Sequence, residues 1–200
     1  MRRFPSRPGE PNMRIGIFGG TFDPVHNGHL EIAEKVEQWF SLDRVHFVPA
    51  ARSPHKGRPP EAGAWDRFAM LVLATRPYGR FYVSTVELER GGVSYSIDTI
   101  REFRRQMGAE GDLYFIMGAD AFRTLTGWKE YEELLRLTNL VVVSRPGHAL
   151  NAESLPEVFR SRVRIWEPDH ERTSEHEPHI YLCSGIHNET SATAIRAALR

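Results

Sequence analysis

Residues 14–29 of the chain read Arg-Ile-Gly-Ile-Phe-Gly-Gly-Thr-Phe-Asp-Pro-Val-His-Asn-Gly-His, and this stretch decides the fold prediction. Its first five residues form a short apolar run that stops at Gly19-Gly20, which is typical of a buried parallel strand. Beyond the loop, apolar residues recur at helical spacing (Leu30, Ala33, Val36 and Phe40), and Asn27 is the expected cap of this helix. A buried strand, a glycine-rich turn and a helix in this order predict the first unit of an α/β sheet.

The same alternation of strand and helix continues along the chain. We predict further strands over residues 45–48, 81–86, 113–117, 140–143, 163–166 and 180–183. We predict further helices over residues 68–75, 97–107, 131–137 and 191–199. Strands that alternate with helices indicate an α/β fold: a Rossmann-like, doubly wound, mainly parallel sheet with helices on both faces. Ligands of such sheets bind beyond the carboxyl ends of the strands.

Length and composition limit the class of protein. The 200 residues are typical of one domain, and we expect residues 1–12 to be a flexible tail and residues 13–200 a single domain. Lys and Arg total 26, as do Asp and Glu, and this balance argues against nucleic-acid or membrane-surface partners. Cys183 is the only cysteine, which excludes an internal disulfide and a multi-cysteine metal site. The apolar runs are too short to cross a membrane and no signal peptide is recognisable, so we expect a cytoplasmic location.

The loop after the first strand carries the strongest chemical signal. Gly19 and Gly20 let the backbone approach a ligand closely, and free amides at a helix start favour an anion. His26 and His29 lie at the same helix start, where both can donate to phosphate oxygens. The glycine spacing is neither that of a P-loop nor that of a G-x-G-x-x-G loop. Two alternatives stay open: the histidines could be zinc ligands, although no nearby cysteine completes a set, or they could cap the helix.

Two segments in the middle of the chain are candidates for ligand contacts. His55 and Lys56 lie in a long polar loop after the second strand, where the lysine could reach a phosphate; read alone, the segment is a solvated basic loop. Residues 94–96 read Ser-Tyr-Ser and open a helix, so their hydroxyls could bind a ligand or act as caps.

Three later segments are also candidates. Residues 118–120 read Gly-Ala-Asp after a buried strand, where a carboxylate can bind ribose hydroxyls. Trp128 follows a glycine and is either a stacking face for a base or a core ring. Residues 191–196 begin the last helix with hydroxyls, free amides and an arginine, a combination that suits terminal phosphates; a capped surface helix is the alternative.

The pattern Gly-Gly-x-Phe-Asp-Pro-x-His-x-Gly-His resembles the signature of the nucleotidyltransferase superfamily, whose short form is His/Thr-x-Gly-His. Together with the later segments it makes the chain, from about residue 13 to residue 200, similar to the nicotinate mononucleotide adenylyltransferases, bacterial enzymes of NAD biosynthesis. The resemblance implies transfer of the adenylyl group of ATP to nicotinate mononucleotide, with pyrophosphate released and Mg²⁺ accompanying ATP. The implied partners are these two substrates, with no nucleic acid and no membrane, and a homo-oligomer is left open.

The resemblance also implies roles for individual residues. The implied catalytic residues are His26, His29, Lys56 and Arg196. The implied ATP contacts are Gly19, Gly20, Thr21, Phe22, Gly118, Asp120, Arg145, Ser191 and Thr193. The implied mononucleotide contacts are His55, Tyr95, Ser96 and Trp128, and no protein-held metal is implied. Four positions depart from the family pattern: Ser53 replaces a proline, Ser96 a threonine, Lys129 an aromatic residue that often follows the tryptophan, and Thr190 an isoleucine.

Two other functions stay open at this point. Phosphopantetheine adenylyltransferases share the implied fold and chemistry, but proteins that resemble them are shorter, usually carry Thr-Asn-Gly-His and lack the segment around Trp128. A catalytically silent nucleotide-binding protein is the other alternative. Loss of one histidine would be its sequence mark, and both His26 and His29 are present.

Overall fold

The computed structural model of the chain describes residues 13–54, 59–108, 111–144, 151–153, 155–167, 177–185 and 190–198. In this part of the chain seven strands form one sheet: β1 (Arg14–Gly20), β2 (Arg44–Pro49), β3 (Phe81–Val83), β4 (Asp112–Gly118), β5 (Asn139–Val143), β6 (Val163–Ile165) and β7 (Ile180–Cys183). The strand order is β3-β2-β1-β4-β5-β7-β6, and every neighbouring pair is parallel. The order changes direction between β1 and β4, as in a doubly wound sheet.

The described helices are α1 (Asn27–Phe40), α2 (Ala64–Thr75), α3 (Val86–Arg90), α4 (Ser96–Met107), α5 (Ala119–Phe122), α6 (Tyr131–Leu137), α7 (Glu157–Arg160) and α8 (Ala192–Ala198), and a 3₁₀ turn spans Leu125–Gly127. No helix in the described ranges is long and apolar enough to cross a membrane.

Two apolar clusters cover the two faces of the sheet, because successive side chains of a strand point to opposite faces. On β4, Phe115 belongs to one cluster with apolar residues of α4 and α6, and Ile116 belongs to the other with apolar residues of α1 and α2. Each strand between two such layers is buried on both sides, which explains the short, almost wholly apolar runs in the sequence. The predicted doubly wound architecture is therefore confirmed, and the described sheet is wholly parallel.

Several predicted boundaries are wrong: the helix predicted over residues 68–75 begins at Ala64, and three other differences have a clear structural cause. β1 does not stop at Gly19-Gly20 but continues through both glycines, because β2 runs alongside it and pairs Gly19 with Val48 and Gly20 with Pro49. The strand predicted over residues 81–86 ends at Val83, since the chain turns there into α3. The cap of α1 is His26, and Asn27 is already the first helical residue.

His46 is a buried histidine away from the loop after β1. It lies on β2 and is 8% exposed. Its ring stacks on Tyr82 with 5.3 Å between centroids and meets Phe103 edge-on at 5.2 Å. Burial, together with the nearby charge of Arg44, lowers the pKa of His46 to about 4. The imidazole is therefore neutral in the folded protein at neutral pH.

We expect this histidine to make the protein less stable in mild acid. The unfolded chain protonates His46 near the ordinary pKa of 6.5, whereas the folded chain does so only near 4. The His46 contribution is thus complete above pH 6.5 and is lost as the pH falls toward 4, by about 2 kcal/mol at pH 5. Urea unfolding of the wild type and of His46→Phe, which keeps a ring but cannot titrate, should give free energies of unfolding whose difference changes by that amount between pH 7.5 and pH 5. A pH-independent difference would contradict this.

Candidate active site

A cleft of about 450 Å³ lies at the carboxyl ends of β1, β4 and β5. It is lined by Phe18, Gly19, Gly20, Phe22, His26, Gly28, His29, Ile32, Gly118, Ala119, Asp120, Val143, Ser144 and Ser191. The strand order changes direction between β1 and β4, the place where ligands of doubly wound sheets bind. A concave site of this size suits a nucleotide-sized ligand.

The cleft brings together a large part of the predicted site. The predicted residues that line it are Gly19, Gly20, Phe22, His26, His29, Gly118, Asp120 and Ser191. The predicted residues that are described but do not line it are Thr21, Tyr95, Ser96, Trp128, Thr193 and Arg196. The predictions for His55, Lys56 and Arg145 lie outside the described residues.

The two histidines form a pair at the start of α1. His26 is the N-cap and His29 is the third helical residue, the two positions of a capping box. The backbone N–H of His26 donates to Nδ1 of His29 at 3.2 Å, and the two rings lie 3.8 Å apart between centroids. A neutral imidazole that accepts at Nδ1 carries its proton on Nε2. The cap interaction therefore makes Nε2 of His29 a hydrogen-bond donor.

Phe18 and Phe22 hold the ring of His29. The His29 ring meets Phe22 edge-on at 5.0 Å and Phe18 at 6.0 Å between centroids. Phe22 is buried, and its backbone adopts a φ of +50°. Its ring covers Gly20 so closely that a Cβ on Gly20 would lie 2.9 Å from Cζ of Phe22. Gly20 thus serves a close approach between loop and ring, in addition to any ligand contact.

The zinc alternative lacks a ligand set in this structure. Among the described residues no group of three or more His, Cys, Asp or Glu side chains could hold a metal ion. Structural and catalytic zinc sites take at least three such ligands from the protein. The two histidines occupy the cap positions of α1 and line the cleft.

Asp23 anchors the loop and was given no role from the sequence. Its carboxylate accepts from the backbone N–H groups of Glu61 and Ala62 at 2.9 and 3.0 Å. Burial raises the pKa of Asp23, but these amides, with the charges of Arg196 and Arg67, outweigh it, so the pKa lies below its ordinary value. Asp23 is ionised at neutral pH, and it fastens residues 61–62 to the loop after β1.

Arg67 on α2 is a second residue that sequence reasoning missed. Its side chain is 1% exposed and donates to the carbonyl oxygens of Thr21 at 2.6 Å, Ala50 at 2.7 Å and Ala62 at 3.3 Å. One guanidinium therefore hydrogen-bonds three separate segments: the loop after β1, the end of β2 and the residues before α2. A signal was present in the sequence, because Arg67 precedes the buried residues Leu71 and Thr75 at intervals of four and so shares their helix face.

Arg196, predicted to hold phosphates, contacts the first loop instead in this structure. Its guanidinium donates to the carbonyl oxygen of Asp23 and lies 3.7 Å from the Asp23 carboxylate. It also lies 3.6 Å from the carboxylate of Glu61 and 3.3 Å from the hydroxyl of Thr193. Near the same helix, the hydroxyl of Ser191 accepts from the N–H of Ala194, so capping, the plainer alternative, is present at α8.

The predicted mononucleotide residues lie at the start of α4 and after the 3₁₀ turn. Tyr95 is the N-cap of α4, and no side-chain cap hydrogen bond is made at this end of the helix in the described structure. Trp128 is half-buried against the apolar cluster that contains Phe115, and its Nε1 donates to Thr124 Oγ1 at 3.2 Å. The core alternative for Trp128 thus applies in part: the ring packs on the core, and the rest of it is accessible.

Two exposed ion pairs lie at the predicted site residues, one beside Tyr95 and one at the cleft. Nζ of Lys129 lies 4.8 Å from the centroid of the Tyr95 ring and 3.3 Å from the carboxylate of Asp98. Asp120, predicted to bind ribose, has a side chain that is 90% exposed at the cleft and forms an ion pair with Arg123. Neither pair is buried, so each contributes little to stability and can exchange partners with a ligand.

Comparison with known proteins identifies a matching family and similar proteins from several bacteria. Residues 17–198 match the model of the Cytidylyltransferase-like family. The protein named "Probable nicotinate-nucleotide adenylyltransferase" from Citrifermentans bemidjiense is 40% identical over 191 residues, which cover 94% of this chain and 88% of that protein. A protein of the same name from Thermus thermophilus is 50% identical over 146 residues, covering 73% of this chain and 77% of that protein.

A solved structure supports the fold. Plasmodium falciparum nicotinic acid mononucleotide adenylyltransferase, solved in complex with NaAD, superposes with a TM-score of 0.68 at 15% identity. The match covers 92% of this chain and 83% of that one. At this level of identity the likeness concerns the architecture, and it agrees with the parallel, doubly wound sheet described above.

Proposed function

Since the chain belongs to the Cytidylyltransferase-like family, and within it to the nicotinate-nucleotide adenylyltransferases, we propose that it transfers the adenylyl group of ATP to nicotinate mononucleotide. The products are nicotinate adenine dinucleotide and pyrophosphate. The observation that carries this proposal is the cleft between β1 and β4, where His26 and His29 lie at the start of a 14-residue helix. A helix start and two imidazoles favour the phosphates of a nucleotide.

The reaction needs little covalent chemistry from the protein. An oxygen of the mononucleotide phosphate attacks the α-phosphorus of ATP, and the bond from that phosphorus to the β-bridging oxygen breaks. The electron pair of this bond leaves with pyrophosphate. A phosphate is already a nucleophile at neutral pH, so the site requires no general base. The rate then depends on holding the two phosphates in line and on stabilising the charge that develops.

We assign that charge stabilisation to the pair at the start of α1. Nε2 of His29 carries a proton because Nδ1 accepts from the His26 amide. It is therefore a preoriented donor for an α-phosphate oxygen, and we assign His26, whose ring lies 3.8 Å from the His29 ring between centroids, to the β-phosphate. We propose that Gly19 and Gly20 of β1 contact the phosphates and that Gly118, at the end of β4, and Asp120, in α5, contact the adenosine; all four line the cleft. By resemblance to the family, we assign Lys56 and Arg196 to the phosphates and Arg145 to the adenosine.

A divalent metal ion generally accompanies ATP in this chemistry, and we propose Mg²⁺. The described residues provide no group of three ligands for it, and the Asp23 carboxylate is already occupied by two backbone amides and Arg196. Mg²⁺ keeps several waters and binds nucleotides mainly through their phosphate oxygens. The ion therefore enters with ATP and neutralises phosphate charge, while the protein supplies the surrounding donors.

We place the nicotinate ring between Trp128 and the start of α4. Its carboxylate suits the N-terminus of this 12-residue helix, where no side-chain cap competes in the described structure. The accessible part of Trp128 offers a stacking face for the pyridine. Lys129, which lies over Tyr95 and beside Asp98, adds positive charge at the same end of α4 and offsets the acidic residue there.

The acceptor assay tests this function. Purified enzyme with saturating ATP should release pyrophosphate with nicotinate mononucleotide at a kcat/KM about tenfold or more above that for the amide, because a carboxamide presents NH₂ to backbone donors and leaves part of the site unpaired. Phosphopantetheine in the same assay is the control for the related adenylyltransferases and should give no turnover. Equal values for the two mononucleotides would mean that the ring substituent is not read. A preference for the amide or for phosphopantetheine would reassign the substrate.

A further inference from the structure

A buried carboxylate lies outside the cleft, in the segment between β3 and α4. Glu87 on α3 is 6% exposed. The hydroxyl of Thr99 donates to its Oε1 at 2.5 Å, and the guanidinium of Arg90 lies 4.0 Å from the same oxygen. Burying a carboxylate is costly unless it is well bonded, and adenylyl transfer as described above makes no use of it. The side chains that this carboxylate binds lie at the start of α4.

Ser94 joins Glu87 to the residues that follow β2. Its side chain hydrogen-bonds to the Glu87 carboxylate. Its Oγ also accepts from the N–H of Ala51, and its own N–H donates to the carbonyl oxygen of Arg52, both at 2.9 Å. Ser94 is itself buried. Ser94, two residues before α4, is therefore hydrogen-bonded both to α3 and to residues 51–52, which follow β2.

Thr99 ties the same carboxylate to the first turn of α4. Its backbone N–H donates to the carbonyl oxygen of Tyr95 at 3.4 Å, as expected one turn into the helix. Glu87 thus binds two side chains on either side of the start of α4: Ser94 before it and Thr99 within its first turn. Tyr95 and Ser96, whose amides form the open N-terminus, lie between these two anchors.

We propose that Glu87 is a positioning residue that fixes the start of α4 for recognition of the mononucleotide. It touches neither substrate, and it acts through Ser94 and Thr99 on the orientation of the Tyr95 and Ser96 amides. The inference rests on the proposed function, since those amides are the proposed partners of the nicotinate carboxylate. It predicts that damage to Glu87 affects the acceptor and spares ATP, because the ATP cleft is lined by other elements.

Glu87→Gln tests the proposal with little change of shape. The glutamine keeps one acceptor oxygen, but its NH₂ cannot accept, so one of the two hydroxyls loses its partner. We expect KM for nicotinate mononucleotide to rise about five- to tenfold, as for one lost buried hydrogen bond, with KM for ATP within about twofold of wild type and kcat little changed. Glu89→Gln, at an exposed position on the same helix, is the matched control and should leave both KM values unchanged.

The experiment distinguishes failure of the proposed function from failure of the positioning role of Glu87. Wild-type turnover with nicotinate mononucleotide tests the function, and absence of turnover there overturns both. Given wild-type turnover, an unchanged acceptor KM in Glu87→Gln, or equal rises in both KM values, overturns the positioning role. If Glu87→Gln does not fold, as judged by circular dichroism and thermal melting, Thr99→Val removes one anchor with little change of volume. Thr99→Val should then raise KM for nicotinate mononucleotide and leave KM for ATP unchanged. A rise in both KM values, or in neither, overturns the positioning role.

Discussion

Replacing His29 with alanine should lower kcat by about 10²-fold or more while ATP still binds. The Nδ1 atom of His29 accepts from the His26 amide, so its Nε2–H is held ready for charge that develops on the α-phosphate. Loss of one preorganised donor of this kind costs about 10²–10³-fold in kcat. Binding of ATP depends on many other contacts and should weaken much less. Steady-state kinetics with both substrates varied, together with direct titration of ATP, measures the two effects separately.

His29→Phe serves as the control for packing. The His29 ring contacts Phe18 and Phe22, so alanine would leave a hole in this aromatic cluster, whereas phenylalanine fills it without a donor. If the donor matters, both variants should be equally slow. Both lose the acceptor for the His26 amide, but only alanine also leaves a cavity, so His29→Ala should be the less stable of the two to heat. A near-normal kcat in His29→Phe would remove His29 from the chemistry and leave helix capping as its role.

Arg67→Met should lower the free energy of unfolding by about 3–5 kcal/mol. The methionine roughly matches the length of the aliphatic part but leaves three carbonyls without their donor: the buried ones of Thr21 and Ala50 and the part-buried one of Ala62. Each such loss costs about 1–3 kcal/mol, and Asp23 also loses a nearby positive charge. Urea unfolding followed by tryptophan fluorescence measures the change.

Arg76→Met provides a matched control for the arginine substitution. Arg76 follows the last residue of α2 and is exposed, so its replacement should change the free energy of unfolding by less than about 0.5 kcal/mol. Arg67→Lys should fall between the two, because one ammonium keeps the charge but cannot reach three carbonyls in the fork geometry of a guanidinium. A loss below about 1 kcal/mol for Arg67→Met would show that the loop does not depend on this contact.

The local patterns of the sequence were sufficient to predict most of the elements. The helix over residues 131–137 and the strand over residues 180–183 were predicted with the bounds that the structure has. Both are short apolar segments whose period and flanking residues are local properties of the chain. The loop from Gly19 to His29 was likewise recognisable, because a ligand loop at the end of a buried strand needs its glycines and donors close together in sequence.

The boundaries that failed depend on neighbours in space. β1 continues past Gly19 because β2 lies beside it, and a ladder hydrogen bond is available wherever a partner strand extends. Nothing in residues 14–20 reveals how far residues 44–49 run in parallel. The cap of α1 is a local exception, because His26 and His29 are only three residues apart and occupy the cap positions together.

The sequence by itself determined the parallel α/β fold, the family and the place of the phosphate loop, because hydrophobic period and short motifs express backbone and local side-chain preferences. Only the tertiary structure decided what supports that loop. Arg67 lies 46 residues from Thr21, and Arg196 lies 173 residues from Asp23, yet each pair is in hydrogen-bond contact. A charged residue on a helix is usually solvated, so its burial becomes known only when the packing of distant segments places unpaired carbonyls or a carboxylate around it.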